Sequence, residues 1–205
     1  MNSYKITLLP GDGIGPEITN VTQNILKFVS NKFDFELKFK EMPFGGSAIE
    51  TDGIPLPDKT LHECKNSDAI LLAAIGDPKY DLLPREQRPE TGLLKLRSSL
   101  DLFANIRPVK IIPSLTKASS LKEEFIKEVD LVVVRELTSG IYFGEPKGRI
   151  KTERGERAFN TMTYTTEEVK RISEIAFELA KQRNKKVCSV DKANVLDVSQ
   201  LWREE

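Results

Sequence analysis

Hydrophobic positions along the chain change period repeatedly, and each change marks an element. Residues 4–9, Tyr-Lys-Ile-Thr-Leu-Leu, predict a first strand. Pro10-Gly-Asp-Gly-Ile-Gly-Pro then turns into a helix with Pro16 at its first position, where a missing N–H costs nothing. Ile18, Val21, Ile25 and Phe28 recur at helical spacing and predict one buried face. Residues 33–40 alternate strictly, Phe33, Phe35, Leu37 and Phe39 against Asp34, Glu36, Lys38 and Lys40, and predict a strand with one wet face. A helix from about Asp58 leads into Asp68-Ala-Ile-Leu-Leu-Ala-Ala-Ile, a continuous apolar run of the kind buried in α/β sheets.

Residues 88–107 hold the densest pattern. Leu93, Leu96, Leu100 and Phe103 predict a short helix carrying Arg97, followed by an extended segment that ends at Arg107 because Pro108 follows. Ser120 with Glu123 and Thr165 with Glu168 have the spacing of capping boxes. Asp130-Leu-Val-Val-Val predicts a strand delivering Arg135, and residues 149–164 a polar hairpin. Val169, Ile172, Ala176 and Leu179 stripe a helix, and Val187-Cys-Ser-Val predicts a last strand before Asp191-Lys-Ala-Asn. Strand and helix alternate, so the fold class is α/β.

Composition narrows the chemistry. With 31 Lys plus Arg against 31 Asp plus Glu among 205 residues, no basic field invites nucleic acid. No apolar run is long enough to span a membrane, and residues 1–10 lack the apolar core of a signal peptide. Cys64 and Cys188 are far apart and lack metal or redox spacing, which predicts buried, reduced thiols in a cytoplasmic protein. A single histidine, His62, excludes a multi-histidine metal site within the chain. The glycines at 11, 13 and 15 do not complete a dinucleotide fingerprint, because residue 16 is proline, although amides at this helix start could face a phosphate.

Arg97, Arg107 and Arg135 stand at the ends of apolar elements. Guanidinium forks bind carboxylates in two places, so three of them suggest a pocket for an anion with several oxygens. The alternative is that each caps an element in solvent or pairs with a neighbouring glutamate.

Five motifs in order carry a resemblance: Leu9-Pro-Gly-Asp-Gly-Ile-Gly-Pro-Glu, Arg88-Pro-Glu-Thr-Gly-Leu-Leu-Lys-Leu-Arg, Phe103-Ala-Asn-Ile-Arg-Pro, Val134-Arg-Glu-Leu-Thr-Ser-Gly-Ile-Tyr-Phe-Gly-Glu and Val190-Asp-Lys-Ala-Asn-Val-Leu. Together they resemble the β-decarboxylating dehydrogenases that act on isocitrate and isopropylmalate. The resemblance implies two open sheets with flanking helices. Residues 1–101 would be part of a cofactor-side domain and 102–205 most of a substrate and dimerisation domain, with a hairpin arm at 149–164. It implies oxidative decarboxylation of 3-isopropylmalate to 4-methyl-2-oxopentanoate with NAD and Mg2+ or Mn2+, in leucine biosynthesis, by a cytoplasmic homodimer.

By that resemblance Arg97, Arg107 and Arg135 bind the substrate's carboxylates, Leu93 and Leu94 offer apolar surface to its isopropyl group, and Tyr142 and Lys192 are catalytic. Ile14, Gly76, Asp77, Pro78, Lys79 and Glu90 would contact NAD, with Asp77 standing where relatives usually carry glycine. The family continues past Glu205, where its metal-binding aspartates and the loop choosing NAD over NADP lie, so this chain alone is expected to be inactive. The alternatives are a non-catalytic anion-binding fragment or subunit, or a relative acting on isocitrate, D-malate or tartrate.

Overall fold

A computed structural model describes residues 2–205, which form two compact units divided between Leu100 and Asp101. The order of elements is α/β throughout. The first unit is built on a parallel three-stranded sheet. Strand β1 (Ser3–Gly11) lies between β2 (Glu36–Glu41) and β3 (Ala69–Ala74), with Leu8 opposite Glu41 on one side and Leu71 on the other. Parallel neighbours need crossovers. These are α1 (Gly15–Lys32) between β1 and β2, then α2 (Gly46–Asp52) and α3 (Asp58–Lys65) before β3. Helix α4 (Pro89–Ser99) closes the unit. Leu9, Phe44, Leu56, Cys64 and Leu96 form its core, with Leu93 and Leu100 packed against it.

Helix α1 buries a different face from the one its spacing predicts. Thr19 and Ser30 are buried, with Thr22, Leu26 and Val29 partly so, while Val21, Ile25 and Phe28 are 56%, 57% and 67% exposed. Gly15 sets this approach: a Cβ there would lie 1.9 Å from the Pro10 carbonyl oxygen. Small and β-branched residues therefore face β1, and the larger apolar stripe faces out. Strand β3 departs from expectation too, since as an edge strand it is only half-buried. Strand β2 starts later than predicted. Asp34 takes a left-handed φ of 56°, which ends the chain's turn out of α1 before pairing begins at Glu36.

In the second unit β4 (Ala104–Lys110) pairs antiparallel with β5 (Asp130–Glu136). Pro108 does not stop β4; it sits opposite Val132, which a two-stranded ribbon tolerates because each strand is an edge. Strands β6 (Gly148–Thr152) and β7 (Gly155–Phe159) form an exposed hairpin. Helix α6 (Thr166–Lys181) packs against β5 through buried Val169 and Ile172, and both bonds of its Thr165–Glu168 capping box are present.

Other expectations fail for local reasons. The Ser120–Glu123 box does not form: α5 (Glu123–Ile126) is capped at Lys122, and Ser119 instead accepts from the Leu121 amide. Residues 187–190 form no strand and are exposed, because no described strand pairs with them. Cys64 is buried but Cys188 is exposed. The last element is α7 (Asp197–Glu204), and no helix among the described residues is long and apolar enough to cross a membrane.

Candidate functional site

The first unit gathers three segments at the carboxyl end of β1 and β3, where open α/β sheets bind ligands. Asp12 is the hub. Its buried carboxylate accepts from the Gly46 amide at 2.7 Å and from the Asp77 amide at 2.8 Å, while its own amide donates to Ala74. The β1–α1 turn is thereby fixed beside the 76–80 loop. Gly76 has φ +103°, and a Cβ there would lie 3.1 Å from a Glu90 carboxylate oxygen, so the start of α4 reaches the same place. Ile14 stands exposed at the start of α1.

Much of the loop's polarity is already engaged. Asp77 accepts from the Lys79 amide and caps the 3-10 turn Pro78–Tyr80. The Lys79 ammonium and the Tyr80 hydroxyl both donate to Glu50, at 2.7 and 2.9 Å. Those two bonds hold the Glu50 carboxyl below its ordinary range, and the carboxylate raises the ammonium. Burial pushes the Tyr80 phenol up. What stays open to a ligand is the Ile14 side chain, the Gly76 backbone and the Glu90 carboxylate. Asp77, Pro78 and Lys79 shape the loop.

On α4, Leu93 packs against the core while Leu94 is half-buried outside the core cluster. Arg97, in the last turn, is half-buried.

The second unit holds the other candidates on one sheet face. Asn105 lies opposite Arg135 and Arg107 opposite Val133. Alternation along each strand puts Asn105, Arg107, Val133 and Arg135 on the same side of the ribbon. Arg107 donates to the Asn105 side-chain oxygen, which fixes the direction of its fork. The Arg135 guanidinium lies 5.2 Å from the centre of the Tyr142 ring, which comes from the 3-10 turn Gly140–Tyr142. Half of Tyr142 is exposed, and Lys147 donates to its carbonyl. Two guanidiniums, an amide and a phenol thus share one face, a suitable lining for a carboxylate beside a group that can donate a proton.

Lys192 is exposed on the turn before α7. Its neighbour Asp191 accepts from the Ala193 amide at 3.0 Å and from Arg203 at 3.0 Å. The amide and then the guanidinium hold that carboxyl below its ordinary range. Asp12, Glu136 and Asp191 escape a search for reacting groups because they act through backbone amides. Their one sequence signal is position: an acid inside Gly-Asp-Gly, one directly after Arg135, and one directly before Lys192.

Known proteins resemble the chain over nearly its whole length. The family model described as isocitrate/isopropylmalate dehydrogenase matches residues 5–205. A 3-isopropylmalate dehydrogenase of Prochlorococcus marinus (strain NATL2A) is 87% identical over all 205 residues, which cover 57% of that relative. One from Synechococcus sp. (strain CC9902) is 64% identical over 204 residues, again 57% of its length. Among solved structures, isocitrate dehydrogenase from Methylococcus capsulatus is similar over 98% of this chain and 55% of its own, with TM-score 0.78 and 29% identity. A Thermus thermophilus protein gives TM-score 0.76 at 25% identity, over 98% of this chain and 37% of its own. The chain thus spans little more than half the length of the curated relatives it matches.

Proposed function

The chain belongs to the isocitrate/isopropylmalate dehydrogenase family, and from that premise we propose that it serves the NAD-dependent oxidative decarboxylation of 3-isopropylmalate to 4-methyl-2-oxopentanoate, in the cytoplasm and as part of a homodimer. The observation that carries this reading is the single face of Asn105, Arg107, Arg135 and Tyr142. Guanidinium forks at Arg107 and Arg135, with that of Arg97, bind carboxylates in two-point fashion. Leu94 meets the isopropyl group, while Leu93 backs it from the core edge. A third carboxylate in place of the isopropyl group would lie against those leucines unpaired, which disfavours isocitrate.

Ile14, Gly76 and Glu90 would hold the nicotinamide end of NAD, on the loop that Asp77, Pro78 and Lys79 shape. Bound NAD supplies the hydride acceptor. Lys192 takes the proton from the substrate hydroxyl as the hydride leaves, directly or through water. After carbon dioxide departs, Tyr142 delivers a proton to carbon 3 of the enolate. Following the resemblance, we assign Mg2+ or Mn2+ to aspartates that the family carries past the position of Glu205; among the described residues no three His, Cys, Asp or Glu side chains are grouped as a metal site.

The test is NADH formation by the protein at the full length of its relatives, with magnesium and 3-isopropylmalate, isocitrate, D-malate or tartrate. The expected result is a preference for 3-isopropylmalate, and a preference for another acid overturns the substrate. The exposed arginine face favours a second, weaker function for the 205-residue chain itself: binding of the dicarboxylate without turnover, read by calorimetry with NADH absorbance alongside.

A further inference from the structure

Glu136 touches no proposed ligand, yet it is the most completely enclosed acid of the second unit. Its side chain is 1% exposed. Being next to Arg135 on β5, it points to the opposite side of the ribbon, toward α6. One carboxylate oxygen accepts from the Thr138 amide at 2.9 Å, the Ser139 amide at 3.0 Å and the Ser139 hydroxyl at 2.7 Å. The other accepts from the Thr138 hydroxyl at 3.2 Å and from the Arg171 guanidinium.

Arg171 is itself held on several sides. It donates to the Thr138 hydroxyl at 2.8 Å, lies 4.6 Å from the centre of the Phe103 ring and pairs with Asp101 at 3.4 Å. A buried ion pair gives up much of its Coulomb gain to desolvation, so apolar residues in its place would serve stability as well. What apolar residues cannot do is accept two successive amide N–H groups. Those amides belong to the segment that leaves Arg135 and leads, through Gly140 bonded to the Thr163 carbonyl, to Tyr142.

We propose that Glu136, held by Arg171, is a positioning residue that sets Tyr142 against Arg135 by fixing the backbone between them. The amides of Leu137 and Gly140 donate to the Phe103 and Thr163 carbonyls, and between them the carboxylate takes the Thr138 and Ser139 amides. Arg171, Glu136 and the two amides form one connected unit, so loss of either charged partner releases the same turn.

The primary measurement does not depend on the activity proposed above. Stacking near the Tyr142 ring shifts the Arg135 side-chain NMR signals by its ring current, and Tyr142→Leu identifies that shift by abolishing it. In the 205-residue chain, Glu136→Gln keeps one acceptor oxygen and must turn its NH2 group either to the two amides or to the Arg171 guanidinium, so the unit that joins them is broken on one side and the shift should fall by at least half. Val169→Ala, which opens a cavity under α6, should lower the melting temperature and leave the shift in place. Should Glu136→Gln not fold, Arg171→Lys keeps the charge but loses the planar group that reaches Glu136 and Thr138 through Nη2 and Asp101 through Nη1 while lying against Phe103, and the same loss is expected. An unchanged shift in a folded Glu136→Gln or Arg171→Lys chain overturns the proposal. In the full-length protein, kcat should fall about tenfold or more with KM for the dicarboxylate rising less, and Glu136→Asp should recover part of kcat. Absence of turnover in the unsubstituted protein would refute the proposed function, while the NMR comparison still decides the role of Glu136.

Discussion

Replacing Asp12 with asparagine changes one atom, yet the structure makes it a severe substitution. The two carboxylate oxygens accept from two different amides, Gly46 at the start of α2 and Asp77 in the loop after β3. Asparagine can serve one of them; its NH2 group then faces the other amide, donor against donor. Asp12 is only 6% exposed, so water is poorly placed to repair the loss. A hydrogen bond to a charged group contributes about 1.5–3 kcal/mol, and a buried donor left unpaired costs about 1–3 kcal/mol. Since these overlap, about 2–3 kcal/mol is expected.

For a unit of this size about 1 kcal/mol moves the midpoint by roughly 4–8 °C, so Asp12→Asn should lower the first unit's transition by about 10–20 °C. Far-UV circular dichroism detects it, and the one tryptophan, Trp202, lies in the second unit, so its fluorescence provides a separate signal. Hydrogen exchange gives the local test: one of the Gly46 and Asp77 amides should lose protection. In the full-length enzyme the loosened 76–80 loop should raise KM for NAD. A midpoint within about 2 °C of the parent, with both amides still protected, would show that the carboxylate does not organise these loops.

Tyr142 and Lys192 should act at different steps. Tyr142→Phe should lower the overall rate by about two to four orders of magnitude while a pre-steady-state NADH burst persists, whereas Lys192→Met should abolish the burst; equal loss in both refutes the division. Arg97→Lys keeps the charge but loses the fork, so kcat/KM should drop about tenfold or more, and unchanged kinetics would remove Arg97 from the substrate site. The outward stripe of α1 should bind a hydrophobic dye in the 205-residue chain. Val21→Ser with Phe28→Ser should reduce dye binding with little fall in melting temperature, and a large fall would mean that the stripe is buried after all.

What the sequence reveals depends on whether a residue acts through its own period or through a partner. The α6 stripe and the Thr165–Glu168 box are local patterns, and both are present as predicted. The α1 stripe is equally periodic but faces out. Periodicity finds an apolar face without saying what covers it, and here Gly15 and Thr19 choose the opposite side. Val187 to Val190 has the composition of a strand, but a strand exists only with a neighbour. Arg97, Arg107 and Arg135 could be singled out as candidates because few side chains bind carboxylates, whereas Tyr142 and Lys192 became candidates only through the family resemblance. That Arg135 joins Asn105 and Arg107 on one face required the register of β4 on β5, which no single-strand pattern contains.

The acids that escaped notice share a physical logic. Asp12 and Glu136 each lie at the carboxyl end of a strand, where the backbone leaves its ladder and amides lose their partners. A buried carboxylate has two oxygens and several lone pairs, so it can take up several such donors at once. Asp12 joins segments far apart in sequence, Gly46 and Asp77, and thereby assembles the proposed cofactor loops. Glu136 binds amides two and three residues ahead of itself and stiffens one turn, with Arg171 supplying the countercharge. Substitution should therefore differ in reach. Losing the first should separate segments and show mainly as stability of the first unit. Losing the second should leave most of the second unit's core intact and show mainly as disorder between Arg135 and Tyr142.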